Sequence, residues 1–288
     1  MSTLAETRRP WLLLSPALST LSFLLVAPLG FIVVYSFWLR TATGADTGGF
    51  HLDNWVEFFT DGFYHDILFY TVRVALLTTV LCAVIGYIPA YFIANTRMKN
   101  KALLLLLLML PFWISYIIRT LSWINILGTG GFVNYVLLQL GIVSEPLQLL
   151  YNEPSVVLGL MHYLLPFMIL NVYVSLSGID NNLVAAARTL GATPFGAFLK
   201  VTLPLSLPGL AAGSLLCFVL GAGTYITPLI LGGPTNAMFA NLIFETIIIQ
   251  LNWPLGAALS IVLLVVLGTV VTIYGRLIGL NQISKSFG

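Results

Sequence analysis

Asp180 to Pro208 reads DNNLVAAARTLGATPFGAFLKVTLPLSLP, and its reading decides the rest. It is the only long polar-tinged segment between two long apolar runs. Asp180 suits the N-cap of a helix through Leu183, Ala186 and Leu190. Gly191 supplies the left-handed residue that ends a helix at low cost. Thr193 then Pro194 is an N-cap with a first-turn proline, so a second helix starts at once. Thr202-Leu203-Pro204 is expected to stop it, because proline disfavours helical geometry in the residue before it. A loop so firmly folded between two apolar runs implies that something docks on it.

The apolar runs are long because the whole chain is apolar. Of 288 residues, 59% are hydrophobic and 8% charged, with a mean hydropathy of +0.99. A soluble domain carries about 25% charge, so this is an integral membrane protein. Cys82 and Cys217 sit inside apolar runs and read as small buried hydrophobes. They offer neither a disulfide framework nor metal-ligand spacing.

Charges divide the runs into six spans, each near the roughly 20 residues a membrane needs. The first lies between Arg9 and Arg40 and is too long for a cleaved signal peptide. A polar loop follows to Asp66. The second span runs from about Ile67 to Asn95 and tolerates Arg73. A basic loop, TRMKNK, precedes the third, Ala102 to about Ile118. Gly128 to Gly131 breaks the chain, Phe132 to Leu140 is too short to span, and Glu145 to Pro154 is loop. The fourth span is Ser155 to Ser177, the fifth about Leu207 to Leu231, the sixth about Pro254 to Ile278. A short apolar helix, Phe239 to Gln250, lies between the last two. This is an all-α polytopic membrane protein. One transmembrane domain, 11–280, holds the folded loop at 179–206 and is flanked by tails 1–10 and 281–288.

Six spans put both termini on one side. With the N-terminus inside, the inner segments hold Arg8, Arg9, Arg97, Lys99, Lys101, Arg188, Lys200, Arg276 and Lys285. The outer side holds Asp46, Asp53, Glu57, Asp61, Asp66, Glu145, Glu153 and Glu245. Basic residues decide orientation, so the termini and the opening stretch are expected in the cytoplasm.

Catalytic machinery is hard to find. His162 is the only histidine in a span and reads as a hydrogen-bonding partner for a neighbouring helix; a hydrolase reading would rest on it alone. No GxxxxGK[ST] phosphate loop occurs, so the chain does not bind ATP that way. No carboxylate lies inside the spans to couple transport to protons. Energy, if used, must therefore enter from a partner. The fifth span is broken at Gly221 to Pro228. Such irregular backbone is tolerated where it lines a cavity or is buried in protein, and both readings stay open. Arg119 either snorkels to the outer surface or stands at the mouth of a pathway.

These residues resemble a known family. The opening stretch is similar to the EAA loop of ABC importer permeases, which docks on the ATPase subunit. Ala186 and Ala187 match its two alanines, Gly191 its glycine and Leu203-Pro204 its end. Ala185 stands where the glutamate usually is, so no ion pair to the ATPase is expected from that position. Three further segments look like the spermidine/putrescine branch: Leu110 to Trp113 with Ile118-Arg119, Thr227-Pro228 with Leu231 to Gly233, and Asn252 to Ala257. The branch often reads Asp where this chain has Asn252.

The resemblance implies a type I importer permease fold in a bacterial inner membrane. It implies import of a polyamine, an opine or a related amino-acid-derived solute. The implied partners are a second homologous permease, two ATPase subunits, a periplasmic solute-binding protein and membrane lipid, with no nucleic acid. The chain is then no enzyme and holds no cofactor; ATP and Mg²⁺ belong to the ATPase. Docking falls to Leu183, Ala185, Ala186, Ala187, Leu190, Gly191 and Phe195. A pathway is expected at Trp113, Arg119, Thr224, Tyr225, Thr227, Glu245 and Trp253. The alternative is a secondary transporter or channel working alone.

Overall fold

The computed structural model describes residues 9–41, 43–96, 98 and 100–277. Arg8, Arg97, Lys99 and Lys285 lie outside the described residues, as do nearly all of the 1–10 tail and the whole 281–288 tail. The described residues fall into two compact units: 9–62 with 243–265, and 63–242 with 266–277. Among them, six helices are long and apolar enough to cross a membrane: Leu14–Tyr35, Gly62–Asn95, Tyr116–Gln139, Glu153–Ser177, Pro194–Ala222 and Trp253–Arg276.

The first unit begins with α1 (Arg9–Tyr35). A hairpin of two-residue strands follows, β1 (Leu39–Arg40) antiparallel to β2 (Asp46–Thr47), with Leu39 opposite Thr47. Arg40 and Asp46 pair across it at 3.7 Å. Then α2 (Asp53–Thr60) stands where the sequence reads as loop. The buried Asn54 amide fixes it by donating to the Ser36 and Trp38 carbonyls, both at 2.9 Å.

The second unit is built on α3 (Gly62–Asn95). Next come α4 (Lys101–Met109), α5 (Tyr116–Leu127), α6 (Phe132–Gln139) and α7 (Glu153–Ser177). The coupling segment gives α8 (Asn181–Thr189) and α9 (Pro194–Ala197), leading into α10 (Leu203–Ala222). A short α11 (Phe239–Phe244) and the long α12 (Trp253–Leu277) close the chain, each divided between the two units. The core of this unit joins Val74, Cys82 and Ala90 of α3, Leu160, Leu164 and Met168 of α7, and Cys217 of α10. Both cysteines are free and fully buried.

α7 and α10 approach each other closely. A Cβ on Gly209 would stand 2.4 Å from the Asn171 carbonyl oxygen; one on Gly213 would stand 2.8 Å from Met168 Sδ. These glycines sit four apart, the spacing by which small residues let membrane helices touch backbone to backbone.

Three sequence expectations need correction. The third span is not one helix from Ala102 to Ile118. Proline cannot donate to the turn behind it and crowds the carbonyl four residues back. Around Pro111 the helix therefore tightens to a 3₁₀ turn at Leu110–Trp113, and Ile114 and Ser115 are extended. Helix resumes at Tyr116, and the membrane-length stretch is Tyr116–Gln139.

Pro204 does not stop the second helix of the coupling segment. Phe198–Thr202 widens to a π turn in which Leu203 N–H donates to the Phe198 carbonyl, five residues back. The missing proline donor and its bulk fall where the ladder is already spread. Helix therefore runs unbroken from Pro194 to Ala222. That also moves the fifth span earlier than Leu207 to Leu231. Its expected break becomes its end: α10 stops at Ala222, and Thr224 and Tyr225 are non-helical.

Candidate functional site

The coupling segment is held by local bonds. Asp180 Oδ1 accepts the Asn182 N–H at 2.9 Å, capping α8. At its other end Gly191 has φ +90°. Ala192 N–H reaches the Ala187 carbonyl, and Gly191 N–H the Arg188 carbonyl, each at 3.0 Å. That pair of bonds is a Schellman termination, which favours glycine at this position. Thr193 Oγ1 accepts the Gly196 N–H at 3.0 Å and starts α9 as the sequence indicates.

With the backbone satisfied, apolar side chains are left pointing outward. Leu190 is 89% exposed, Phe195 69% and Leu183 48%. Ala186 and Gly191 are exposed beside them, and Ala187 is half-buried. The base of the segment is anchored instead: the Phe198 ring meets Tyr87 and Tyr91 of α3 nearly edge-on, at 5.8 and 5.6 Å. The Tyr87 and Ser206 hydroxyls bond at 2.8 Å. Ala185 faces elsewhere. It lies with Asn181 and Arg188 along a different side of α8, against the end of α3.

The broken segment after α10 forms the second site, a cleft of about 280 Å³. Its walls include Tyr116, Tyr163, Gly223, Thr224 and Tyr225. The Tyr116 hydroxyl bonds Thr224 Oγ1 at 3.1 Å and also bonds Thr227 Oγ1. Thr227 is fully buried and Tyr225 is 36% exposed. Asn241 donates its amide to the Tyr225 carbonyl at 2.7 Å, and Ser155 donates to the Leu231 carbonyl at 2.8 Å. The irregular backbone is thus satisfied by side chains from elsewhere, as non-helical backbone at membrane depth must be.

Behind the cleft lies an aromatic cluster. Tyr116 and Tyr163 have ring centroids 4.5 Å apart. Phe112 and Phe167 continue it, edge to face at 5.0 Å. Arg119 does not snorkel. It is 8% exposed, its guanidinium sits 5.3 Å from the centre of the Phe112 ring, and it donates to the Pro111 carbonyl at 3.2 Å. One turn further along α5, Trp123 Nε1–H donates to His162 Nδ1 at 3.1 Å. His162 therefore bonds a neighbouring helix, as read from the sequence.

Of the seven expected pathway residues, Thr224, Tyr225 and Thr227 come together through Tyr116. Arg119 belongs to the adjoining aromatic cluster. Trp113 is 79% exposed and is not part of the cleft wall. Glu245 is exposed on a π turn and Trp253 half-exposed at the start of α12; both belong to the other unit. Sequence reading missed Tyr116, Tyr163, Phe112 and Phe167. Tyr163 and Phe167, four apart on α7, carried a signal as one helix face; Phe112 and Tyr116 are separated by the extended Ile114 and Ser115 and carried none.

No family model matches the chain. Known proteins do. The spermidine/putrescine transport system permease protein PotB of Salmonella typhimurium strain SL1344 is 37% identical over 227 residues, covering 79% of this chain and 79% of that protein. Its counterpart in Haemophilus influenzae is 34% identical over 258 residues, with 90% of each chain covered. This chain belongs to the PotB family of ABC transporter permeases. A chain in the crystal structure of a bacterial ABC transporter involved in alginate import shares its fold, with a TM-score of 0.77 at 18% identity over 96% of this chain and 98% of that one.

As a member of the PotB family, the protein is a multi-pass permease subunit of an ABC importer in a bacterial inner membrane. The reading as a secondary transporter or channel working alone is set aside. Asn252 has a local role. Its Oδ1 accepts the Leu255 N–H at 3.3 Å and caps α12. Asparagine and aspartate cap about equally well, so the exchange preserves this role.

Proposed function

We propose that this permease carries small polycations of the polyamine class, or related amino-acid-derived solutes such as opines, into the cytoplasm by ATP-driven alternating access. The substrate class rests on the names of its relatives and on the chemistry of the cleft. Aromatic faces and hydroxyls wall the cleft, and ammonium groups are attracted to aromatic faces by about 0.5–2 kcal/mol each. Thr224, Tyr225 and Thr227, with Arg119, Trp113, Glu245 and Trp253, are the residues assigned to the pathway.

The partners in this reading are a second homologous permease, two ATPase subunits that bind ATP and Mg²⁺, and a periplasmic solute-binding protein that meets the outer loops, including the connector from Gly232 to Trp253. Both termini and the coupling segment face the cytoplasm, where most of the basic residues then lie. The carrying observation is the tip of the coupling segment. Leu183, Leu190 and Phe195 are exposed on helices fixed at their ends by Asp180, Gly191 and Thr193. Such a patch suits burial in a groove of the ATPase, and a capped helix moves as one body. Its base packs on Tyr87 and Tyr91, so displacement of the tip reaches α3.

The test is uptake of labelled putrescine and spermidine in a host stripped of its own polyamine uptake. The permease and its partners should restore uptake, and a hydrolysis-dead ATPase should abolish it. Uptake that persists with the dead ATPase and follows the proton gradient contradicts the reading.

A further inference from the structure

A larger cavity, about 660 Å³, opens on the other side of the coupling helix. Its walls include Asn95 and Thr96 at the end of α3, Lys101 at the start of α4, and Asn181, Ala185 and Arg188 of α8. Positions 181, 185 and 188 share one helical face, while Leu183, Ala186 and Leu190 share another. The cavity therefore lies on a different face from Leu183, Ala186 and Leu190, and of the residues assigned to docking it takes Ala185 alone.

Its chemistry is one-sided. Among the described residues two cations line it and no carboxylate does. Lys101 Nζ donates to the Ala94 carbonyl, which leaves its other hydrogens for a ligand. Among the described residues the ion pairs are Arg40–Asp46 and Arg73–Glu153, so neither Lys101 nor Arg188 is matched by an acid. Asp180, the nearest acid in sequence, caps α8 and is not part of the wall. Asn95, Thr96 and Asn181 add neutral donors.

Position supplies the second argument. Asn95 ends a 34-residue apolar helix and Lys101 begins the next apolar stretch. The cavity thus lies where a span meets water, at the level of lipid headgroups. Cations there attract anionic lipid, each contributing roughly a fivefold gain in affinity.

We propose that this cavity binds a phosphate group, carried by an anionic phospholipid or free in solution. Lys101 and Arg188 hold the phosphate between them. Because they sit on α4 and α8, the bound anion ties the coupling helix to the ends of the neighbouring spans. Ala185 leaves the space open: a carboxylate there would stand three residues before Arg188, within pairing reach. The inference is independent of which solute is carried.

The experiment uses the assembled transporter in phosphatidylcholine nanodiscs, with or without phosphatidylglycerol. Native mass spectrometry reads retained phosphatidylglycerol, and calorimetry reads inorganic phosphate added to the phosphatidylcholine discs. Lys101→Gln with Arg188→Gln should weaken anion retention about twenty-five-fold, the product of two roughly fivefold contributions. Ala185→Glu, an exposed helix position that keeps both cations, should weaken it as well. Retention of phosphatidylglycerol without phosphate binding assigns the lipid; phosphate binding lost in the same variants assigns the free anion. Equal phosphatidylglycerol retention by all three proteins, with no phosphate binding, overturns the proposal. So does loss of the ATPase subunit, rather than of lipid, from the double variant, because a partner's acid would then fill the cavity.

Discussion

Gly191 to Pro194 and Gly223 to Pro228 interrupt helices with the same residue types, glycine, threonine and proline, yet the two breaks are held in opposite ways. The first is self-sufficient. Its bonds come from Gly191, Ala192 and Thr193, within a few residues, and its apolar side chains are left facing out. The second is supported from a distance. Tyr116, more than a hundred residues earlier, bonds both Thr224 and Thr227, and Ser155 holds the Leu231 carbonyl. The comparison teaches that glycine and threonine set where a helix breaks. Where the hydroxyls find partners sets whether the break becomes a protruding surface or a lined cleft.

The sharpest way to break the comparison is Gly191→Pro. Proline fixes φ near −65° and has no N–H, whereas this position has φ +90° and donates to the Arg188 carbonyl. The local cost is about 3 kcal/mol or more. ATPase stimulation and retention of the ATPase subunit should fall by roughly a hundredfold, the equivalent of that energy. If the complex and its stimulated hydrolysis persist unchanged, the protruding segment is not the dock.

A smaller effect is expected at the cleft. Tyr116→Phe removes one hydroxyl and leaves buried Thr227 without its bond, at a cost of about 1–3 kcal/mol. Uptake should drop by about tenfold or more, while the coupling segment, which depends on none of these bonds, keeps its ATPase. Unaltered uptake would show that the distant support is dispensable. The smallest expected change is at Asn252. Asn252→Asp keeps the cap on α12, so thermal stability should shift by less than about 0.5 kcal/mol. A larger shift in an unfolding scan would mean that the side chain is more than a cap.

The same contrast explains what the sequence made legible. Both ends of α8 and the start of α9 could be read directly, because a cap is a local bond between residues at fixed spacing. The six spans could be placed approximately, since charges and apolar length mark them. The π turn before Pro204 could not be read. A local rule says that proline ends a helix, while packing against Tyr87 and Tyr91 holds the segment helical through it. Pro111 went the other way: the leucine run hid a true break. Tyr116 and Tyr163 were overlooked because their partners lie on other helices, and one chain read in order does not show which helices will meet. The two readings of Arg119 stayed open for the same reason, since its burial against Phe112 depends on the turn at Pro111.

In the proposed function the exposed tip receives work and the cleft handles solute. The most direct test is to measure ATP hydrolysis and solute uptake in the same proteoliposomes for Leu190→Ser beside Tyr116→Phe. Leu190 is 89% exposed, so its loss should leave the permease fold intact while removing about 1.5–3 kcal/mol of apolar burial at the dock. Leu190→Ser is expected to lower hydrolysis and uptake together, and Tyr116→Phe to lower uptake while stimulated hydrolysis continues. If Leu190→Ser leaves both rates unchanged, or if Tyr116→Phe abolishes stimulated hydrolysis as well, the division of labour between the two regions is wrong.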